Sequence, residues 1–182
     1  MDYNKYILSK VNKYFLEIVN DEHHKMDKSH KYYMMDLKLF IGMMDRVKEN
    51  GFDLVGKKFL EIGSGTGYCC DLMRREGMQA EGIELNSKLV EISTQMFSEI
   101  KFHNIDCLDF ENYGDYDIIY YYCPFKDKEL QKKLNTKIED EIKVGGYIVR
   151  DMLGEEKNYK DYRFTNVDNN KFHNKIWLKI KK

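Results

Sequence analysis

The chain has 182 residues, 42% of them hydrophobic and 34% charged, with a formal net charge of -1. That length suits one domain, and that balance is too apolar for a disordered chain. A near-zero charge implies no global attraction to nucleic acid or to anionic membranes. Met1 to Asn20 carry charges throughout and lack the apolar run of a leader or membrane span, which predicts a cytoplasmic protein. Cysteines at 69, 70, 107 and 123 form no C-x-x-C pair and no Cys/His set at zinc spacing, so reduced thiols and no metal site are expected.

Ile7, Val11, Tyr14, Phe15 and Ile18 recur at helical spacing and predict a first amphipathic helix. After a polar stretch, Ser29 is the expected cap of a second helix, whose face carries Leu37, Phe40, Ile41, Met44 and Val47 and which Asn50-Gly51 ends. From Lys57 onward, strands predicted at Lys58–Ile62, Ala80–Glu84, Ile100–Asn104, Tyr116–Tyr122 and Gly146–Arg150 alternate with helices at Tyr68–Glu76, Ser87–Phe97 and Lys128–Ile142. Such alternation predicts β-α-β units and a mainly parallel sheet covered by helices. Arg163–Val167 and Lys175–Lys181 then read as two strands of a hairpin around Asp168-Asn169-Asn170. The expected fold is α/β: a three-layer Rossmann-like sheet, mainly parallel, with a C-terminal antiparallel hairpin and preceding N-terminal helices. One domain is expected over residues 1–182, with a helical cap at 1–52, a cofactor-binding core at 53–150 and a strand pair at 151–182.

Phe59-Leu60-Glu61-Ile62 runs directly into Gly63-Ser64-Gly65-Thr66-Gly67, just ahead of a helix. Glycines are required where backbone turns with positive φ or approaches a ligand more closely than a Cβ permits. A dinucleotide fingerprint from Gly63 would need glycine where this chain has Tyr68, which disfavours a nicotinamide cofactor. Gly82-Ile83-Glu84-Leu85-Asn86 ends the second strand with a carboxylate, placed where Rossmann-type folds hold a ribose. A carboxylate accepts two hydrogen bonds from vicinal hydroxyls, which suits Glu84 to that task. Asn104-Ile105-Asp106-Cys107-Leu108-Asp109 follows the third strand, Tyr120-Tyr121-Tyr122-Cys123-Pro124-Phe125 closes the fourth, and Val144-Gly145-Gly146 opens the fifth.

In this order, from Phe59 to Val149, these segments resemble the class I S-adenosylmethionine-dependent methyltransferases, whose first motif has the form E-x-G-x-G-x-G. The resemblance implies S-adenosyl-L-methionine as cofactor, held by Glu61, Gly63, Ser64, Gly65 and Gly67 at its amino-acid end. Glu84 and Leu85 would meet the ribose side, Asp106 the adenine amino group, and Cys107 the ring, while Asp109 is expected at the surface. Tyr121 to Phe125 would form the floor of the acceptor site, with Tyr121 also against the cofactor and Tyr122 as the candidate catalytic residue. Amino-group methyltransferases acting on adenine or glutamine often carry N-P-P-Y here. Tyr122-Cys123-Pro124-Phe125 keeps the proline and an aromatic but loses the asparagine amide, which argues against those acceptors. The acceptor is thus left as a small molecule or an exposed protein amine, and a non-catalytic S-adenosylmethionine-binding protein is the alternative. Nucleic acid is not implied, and the oligomeric state is not legible. Successive strand side chains alternate, so the three tyrosines cannot all face one pocket. His23, His24, His30 and Tyr33, ahead of the apolar face of the second helix, are expected to be solvated, and the C-terminal lysines, among them Lys175, Lys179, Lys181 and Lys182, are expected to protect an exposed edge strand.

Overall fold

The computed structural model describes residues 36–151, 161–167 and 174–182, without the side chains of 151, 174 and 175. The predicted first helix, Ser29, and the His23 to Tyr33 segment lie outside these. Helix α1 (Leu37–Glu49) starts where Asp36 accepts hydrogen bonds from the amides of Lys38 and Leu39 at 2.9 and 3.4 Å, satisfying donors that the helix itself cannot. Phe40, Met43, Met44 and Val47 make its buried face. Ile41 was expected on that face but is 38% exposed, because Met43 takes its place in the stripe. Asn50 ends the helix, its side-chain amide donating to the Arg46 carbonyl at 2.8 Å.

The strands are β1 (Lys58–Ile62), β2 (Gln79–Glu84), β3 (Lys101–Asn104), β4 (Ile118–Tyr122), β5 (Tyr147–Asp151), β6 (Phe164–Asn166) and β7 (Asn174–Lys179). They form one seven-stranded sheet in the order β3-β2-β1-β4-β5-β7-β6. Parallel pairing runs from β3 to β5, and β7 is antiparallel to both of its neighbours. Helices α2 (Tyr68–Arg75), α3 (Ser87–Met96) and α4 (Lys128–Glu141) make the connections, and between β3 and β4 there is only a 3₁₀ turn at Tyr113–Asp115.

Strand alternation sorts the core into two layers. Phe59, Tyr120, Val149 and Ile176 face α1, α2 and α3, whereas Leu60, Ile119, Tyr121 and Trp177 face α4 through Leu134 and Ile138. The expected three-layer α/β architecture is therefore observed.

The expected C-terminal antiparallel pair is present as β6 against β7, but the lysine-bearing strand is not the edge of the sheet. β7 lies inside the sheet, between β5 and β6, because Ile176 and Trp177 are apolar on both faces and are 0% and 8% exposed. The short β6 is the edge. Lys179 is 4% exposed and its Nζ donates to the carbonyls of Glu139, Asp140 and Ile142 at 2.8, 3.1 and 2.7 Å. It closes the C-terminus of α4, where orphan carbonyls and the helix dipole favour a cation, while burial lowers its pKa.

Candidate active site at the switch point of the sheet

From β1 the chain moves outward to β2 and β3, then crosses to β4 on the other side of β1. The loops leaving the carboxyl ends of β1 and β4 consequently diverge and leave a crevice, the place where open α/β sheets bind ligands. Gly63-Ser64-Gly65-Thr66-Gly67 fills the β1 side. Gly63, Gly65 and Gly67 have φ of 72°, 52° and 78°, the left-handed region that side chains rarely adopt. The loop is pinned to β2 by the amides of Gly63 and Ser64, which both donate to the Ile83 carbonyl at 2.8 and 2.9 Å. Across the crevice, a Cβ on Gly63 would stand 4.0 Å from Pro124 Cβ.

Gly67 is also the N-cap of α2, and it supplies no side-chain hydrogen bond. Asp36, Asn86 and Asp127 do cap α1, α3 and α4. The start of α2 therefore sets its positive dipole end beside the loop, while its Cys70 amide is taken up by Glu61 behind it.

Glu84 ends β2 with its carboxylate already oriented. Oε2 accepts from the Gly65 amide and Oε1 from the Asn86 amide, both at 2.9 Å. Next to it, Leu85 is 39% exposed, an apolar surface beside a carboxylate. Asn104 holds this corner, its side-chain amide donating to the carbonyls of Glu84 and Leu85 at 3.0 and 2.9 Å. Sequence reasoning assigned Asn104 no role. Its only signal was an amide at the end of β3, across from Glu84 in the register.

Asp106 is half-buried, and its Oδ1 accepts from the Leu108 amide at 2.9 Å, shaping the turn after β3. Tyr113 donates to the Cys107 carbonyl at 2.7 Å from the far side of this turn. Burial pushes the Cys107 thiol up to about 12, with the charges of Asp106 and Glu84 adding to the shift. Asp109 is exposed.

Glu61 lies behind the loop at 6% exposure, on the same strand face as Phe59, and accepts from Cys70 Sγ at 3.2 Å. Desolvation raises its carboxyl from 4.5 to about 7, against the opposing hydrogen bonds from Cys70 and Cys69. The folded chain thus retains a proton that the unfolded chain releases. Stability should fall as pH rises from about 4.5 to about 7. Glu61→Gln keeps an acceptor for Cys70 without a titrating charge, and should remove that part of the slope in urea unfolding at several pH values. An unchanged slope would mean that the Glu61 carboxyl is solvated in the fold.

Ser64 is 5% exposed, and its Oγ has no hydrogen-bond partner among the described residues. It is turned to Gly82, where an added Cβ would sit 2.6 Å from Oγ.

Of the three consecutive tyrosines, Tyr120 and Tyr121 are 1% and 0% exposed on opposite faces of the sheet, and only Tyr122 is half-buried. Tyr121 was expected against the cofactor. Its side chain instead enters the α4 layer, where its hydroxyl donates to Asn135 Oδ1 at 2.9 Å, because residue 121 falls on the face of Ile119. The crevice wall from β4 is thereby reduced to Tyr122, Cys123 and Pro124, with Phe125 buried behind.

Comparison with known proteins bears on the family and the fold. A family model described as a methyltransferase domain matches residues 26–123, more than half of the chain. A protein-L-isoaspartate O-methyltransferase of Cytophaga hutchinsonii is 30% identical over 122 residues, covering 62% of this chain and 50% of the relative. The chain therefore spans about half the length of this curated relative. Among solved structures, a protein of Haemophilus influenzae assigned as a methylase superposes with a TM-score of 0.63 at 14% identity, covering 76% of this chain and 99% of that one. An RNA methyltransferase of Salinibacter ruber in complex with S-adenosyl-L-homocysteine gives a TM-score of 0.57 at 13% identity, covering 83% and 95%. These structural likenesses show a common fold. With the family model spanning the glycine loop, Glu84 and the end of β4, the chain belongs to the methyltransferase-domain family.

Proposed function

We propose that this chain binds S-adenosyl-L-methionine in the crevice between β1 and β4 and transfers its methyl group to a small molecule or an exposed protein amine. The observation that carries the reading is the joining of Glu84 to Gly65 at the switch point, which sets a diol-binding carboxylate directly against a glycine loop. A carboxylate accepts several hydrogen bonds at once, so Glu84 would accept from ribose hydroxyls beside the amides of Gly65 and Asn86. The half-exposed Leu85 suits the flat face of an adenine, and Asp106 its exocyclic amine. The positive dipole end of α2, whose N-cap Gly67 places no side chain over it, suits the carboxylate of the amino-acid end. The relatives point the same way, since solved complexes of this fold contain S-adenosylmethionine or its demethylated product.

When bound, S-adenosylmethionine supplies a methyl group activated by its sulfonium. The protein's own task is to fix the acceptor in line and to keep water from the crevice. Tyr122, half-buried at the end of β4, is the residue whose hydroxyl would orient an acceptor. Among the described residues, no helix is long and apolar enough to cross a membrane.

Calorimetry tests binding: S-adenosylhomocysteine should bind at about micromolar strength and NADH should not. Failure of both adenosyl ligands to bind would overturn the reading. Labelled S-adenosylmethionine incubated with a cell extract then tests transfer, and binding without transfer would favour a non-catalytic binding protein. Tyr122→Phe should leave S-adenosylhomocysteine affinity nearly unchanged and lower transfer about tenfold, the effect of losing one orienting hydrogen bond of about 1.4 kcal/mol. Equal loss of binding and transfer would mean that Tyr122 is structural.

A further inference from the structure

Helix α4 carries a second stripe beside its apolar row. Gln131, Asn135 and Glu139 recur at every fourth position, on one helix face, and are only 5%, 7% and 7% exposed. Polar side chains held this deeply are costly unless they are paired. Here they are paired in a definite direction. The Phe125 amide donates to Gln131 Oε1 at 3.3 Å, Gln131 Nε2 donates to Asn135 Oδ1 at 2.9 Å, and the Tyr121 hydroxyl donates to the same Oδ1 at 2.9 Å. One turn further on, Arg150 Nη1 meets Glu139 Oε1 at 3.1 Å.

At its upper end this ladder terminates on the segment that forms the crevice wall. Cys123 has φ of 37°, and it is the sole non-glycine residue with positive φ among the described residues. A side chain in the left-handed region is strained and persists only where its surroundings over-determine it. Two fixed points flank Cys123. Tyr121 is anchored in the core through Asn135, and the Phe125 amide is anchored through Gln131. Both anchors belong to the same pair of linked amides on α4.

We propose that Gln131 is a positioning residue: through Asn135 and Tyr121 it clamps Tyr122-Cys123-Pro124 against the glycine loop, in the strained geometry that presents the acceptor. The proposal depends on the methyl-transfer reading for its functional consequence, but the clamp itself can be measured without it.

Cys123 provides the probe. Cys69, Cys70 and Cys107 are buried, whereas Cys123 is half-buried. In the full chain, Gln131→Met retains length and helix propensity but removes both amide contacts. The rate of iodoacetamide alkylation at Cys123, read by peptide mass spectrometry, should rise about tenfold, the factor that accompanies a loss of about 1.4 kcal/mol. S-adenosylhomocysteine affinity should stay within about twofold of the wild type, while transfer of label from S-adenosylmethionine into a cell extract falls about tenfold. Gln131→Glu keeps an oxygen for the Phe125 amide and should return alkylation toward the wild-type rate. A folded Gln131→Met protein that alkylates at the wild-type rate overturns the proposal. Should that variant fail to fold, amide exchange at Phe125 in the wild type decides: slow exchange supports the clamp, and exchange at the rate of an unprotected amide overturns it. An unaltered wild type that binds no adenosyl ligand defeats the methyl-transfer reading, whatever the exchange and alkylation results say about the clamp.

Discussion

Glu84→Ala should raise the dissociation constant for S-adenosylhomocysteine about 100-fold, equivalent to about 2.8 kcal/mol. The expected loss is large because Glu84 has two tasks. It would accept from the ligand's hydroxyls, and it already holds the glycine loop by accepting from the Gly65 amide at 2.9 Å. Alanine removes both, leaving the amides of Gly65 and Asn86 to find water. Glu84→Gln separates the tasks, since its one remaining oxygen can serve the loop while the charge that strengthens hydrogen bonds from hydroxyls is gone. About a tenfold loss is expected for the glutamine variant. Calorimetry at constant salt, with thermal melting to confirm folding, measures both. An unchanged dissociation constant in the alanine variant would remove Glu84 from the site.

Gly82→Ala is expected to cost about 3 kcal/mol of stability, which for a chain of this size lowers Tm by roughly 6–12 °C. Gly82 is not in a left-handed conformation, so the cause is space alone. A Cβ there would stand 2.6 Å from Ser64 Oγ, 2.7 Å from Ser64 Cβ and 2.7 Å from Phe102 Cδ1. The glycine loop can lie against β2 only because that position has no side chain. Gly82→Ala should therefore also weaken S-adenosylhomocysteine binding, by displacing the loop from Glu84. Ser64→Gly removes two of the three close contacts, so the double variant should be more stable than the sum of the single effects by about 1 kcal/mol. Additive single effects would show that Phe102 alone sets the constraint.

The two variants probe different kinds of legibility. Glu84 could be selected from sequence because a carboxylate at a strand end after a glycine loop is a local arrangement with a chemical purpose. Gly82 could be read only as part of its segment, since nothing in Gly82-Ile83-Glu84 says which loop presses against it. Tyr121 and Tyr122 show the same divide. Alternation required them to face opposite ways, but only the placement of α4 over one face decided that Tyr121 would be buried on Asn135. Gln131, Asn135 and Glu139 escaped the reading because polar residues at helical spacing are the usual mark of a solvated face, and the row of Leu134 and Ile138 beside them already accounted for burial.

The sequence by itself determined the alternation of strands and helices from β1 to β5, the glycine loop, and the carboxylate that answers it. Each of these is a local matter, set by side-chain periodicity, by capping residues such as Asn86 and Asp127, or by the φ that Gly63, Gly65 and Gly67 can adopt. Only the tertiary structure decided that β7 enters the sheet between β5 and β6, that Lys179 closes α4, and that the crevice wall comes down to Tyr122, Cys123 and Pro124. Those outcomes depend on which distant apolar faces meet, and a strand's pattern shows that it will be buried without naming the strand or helix that buries it.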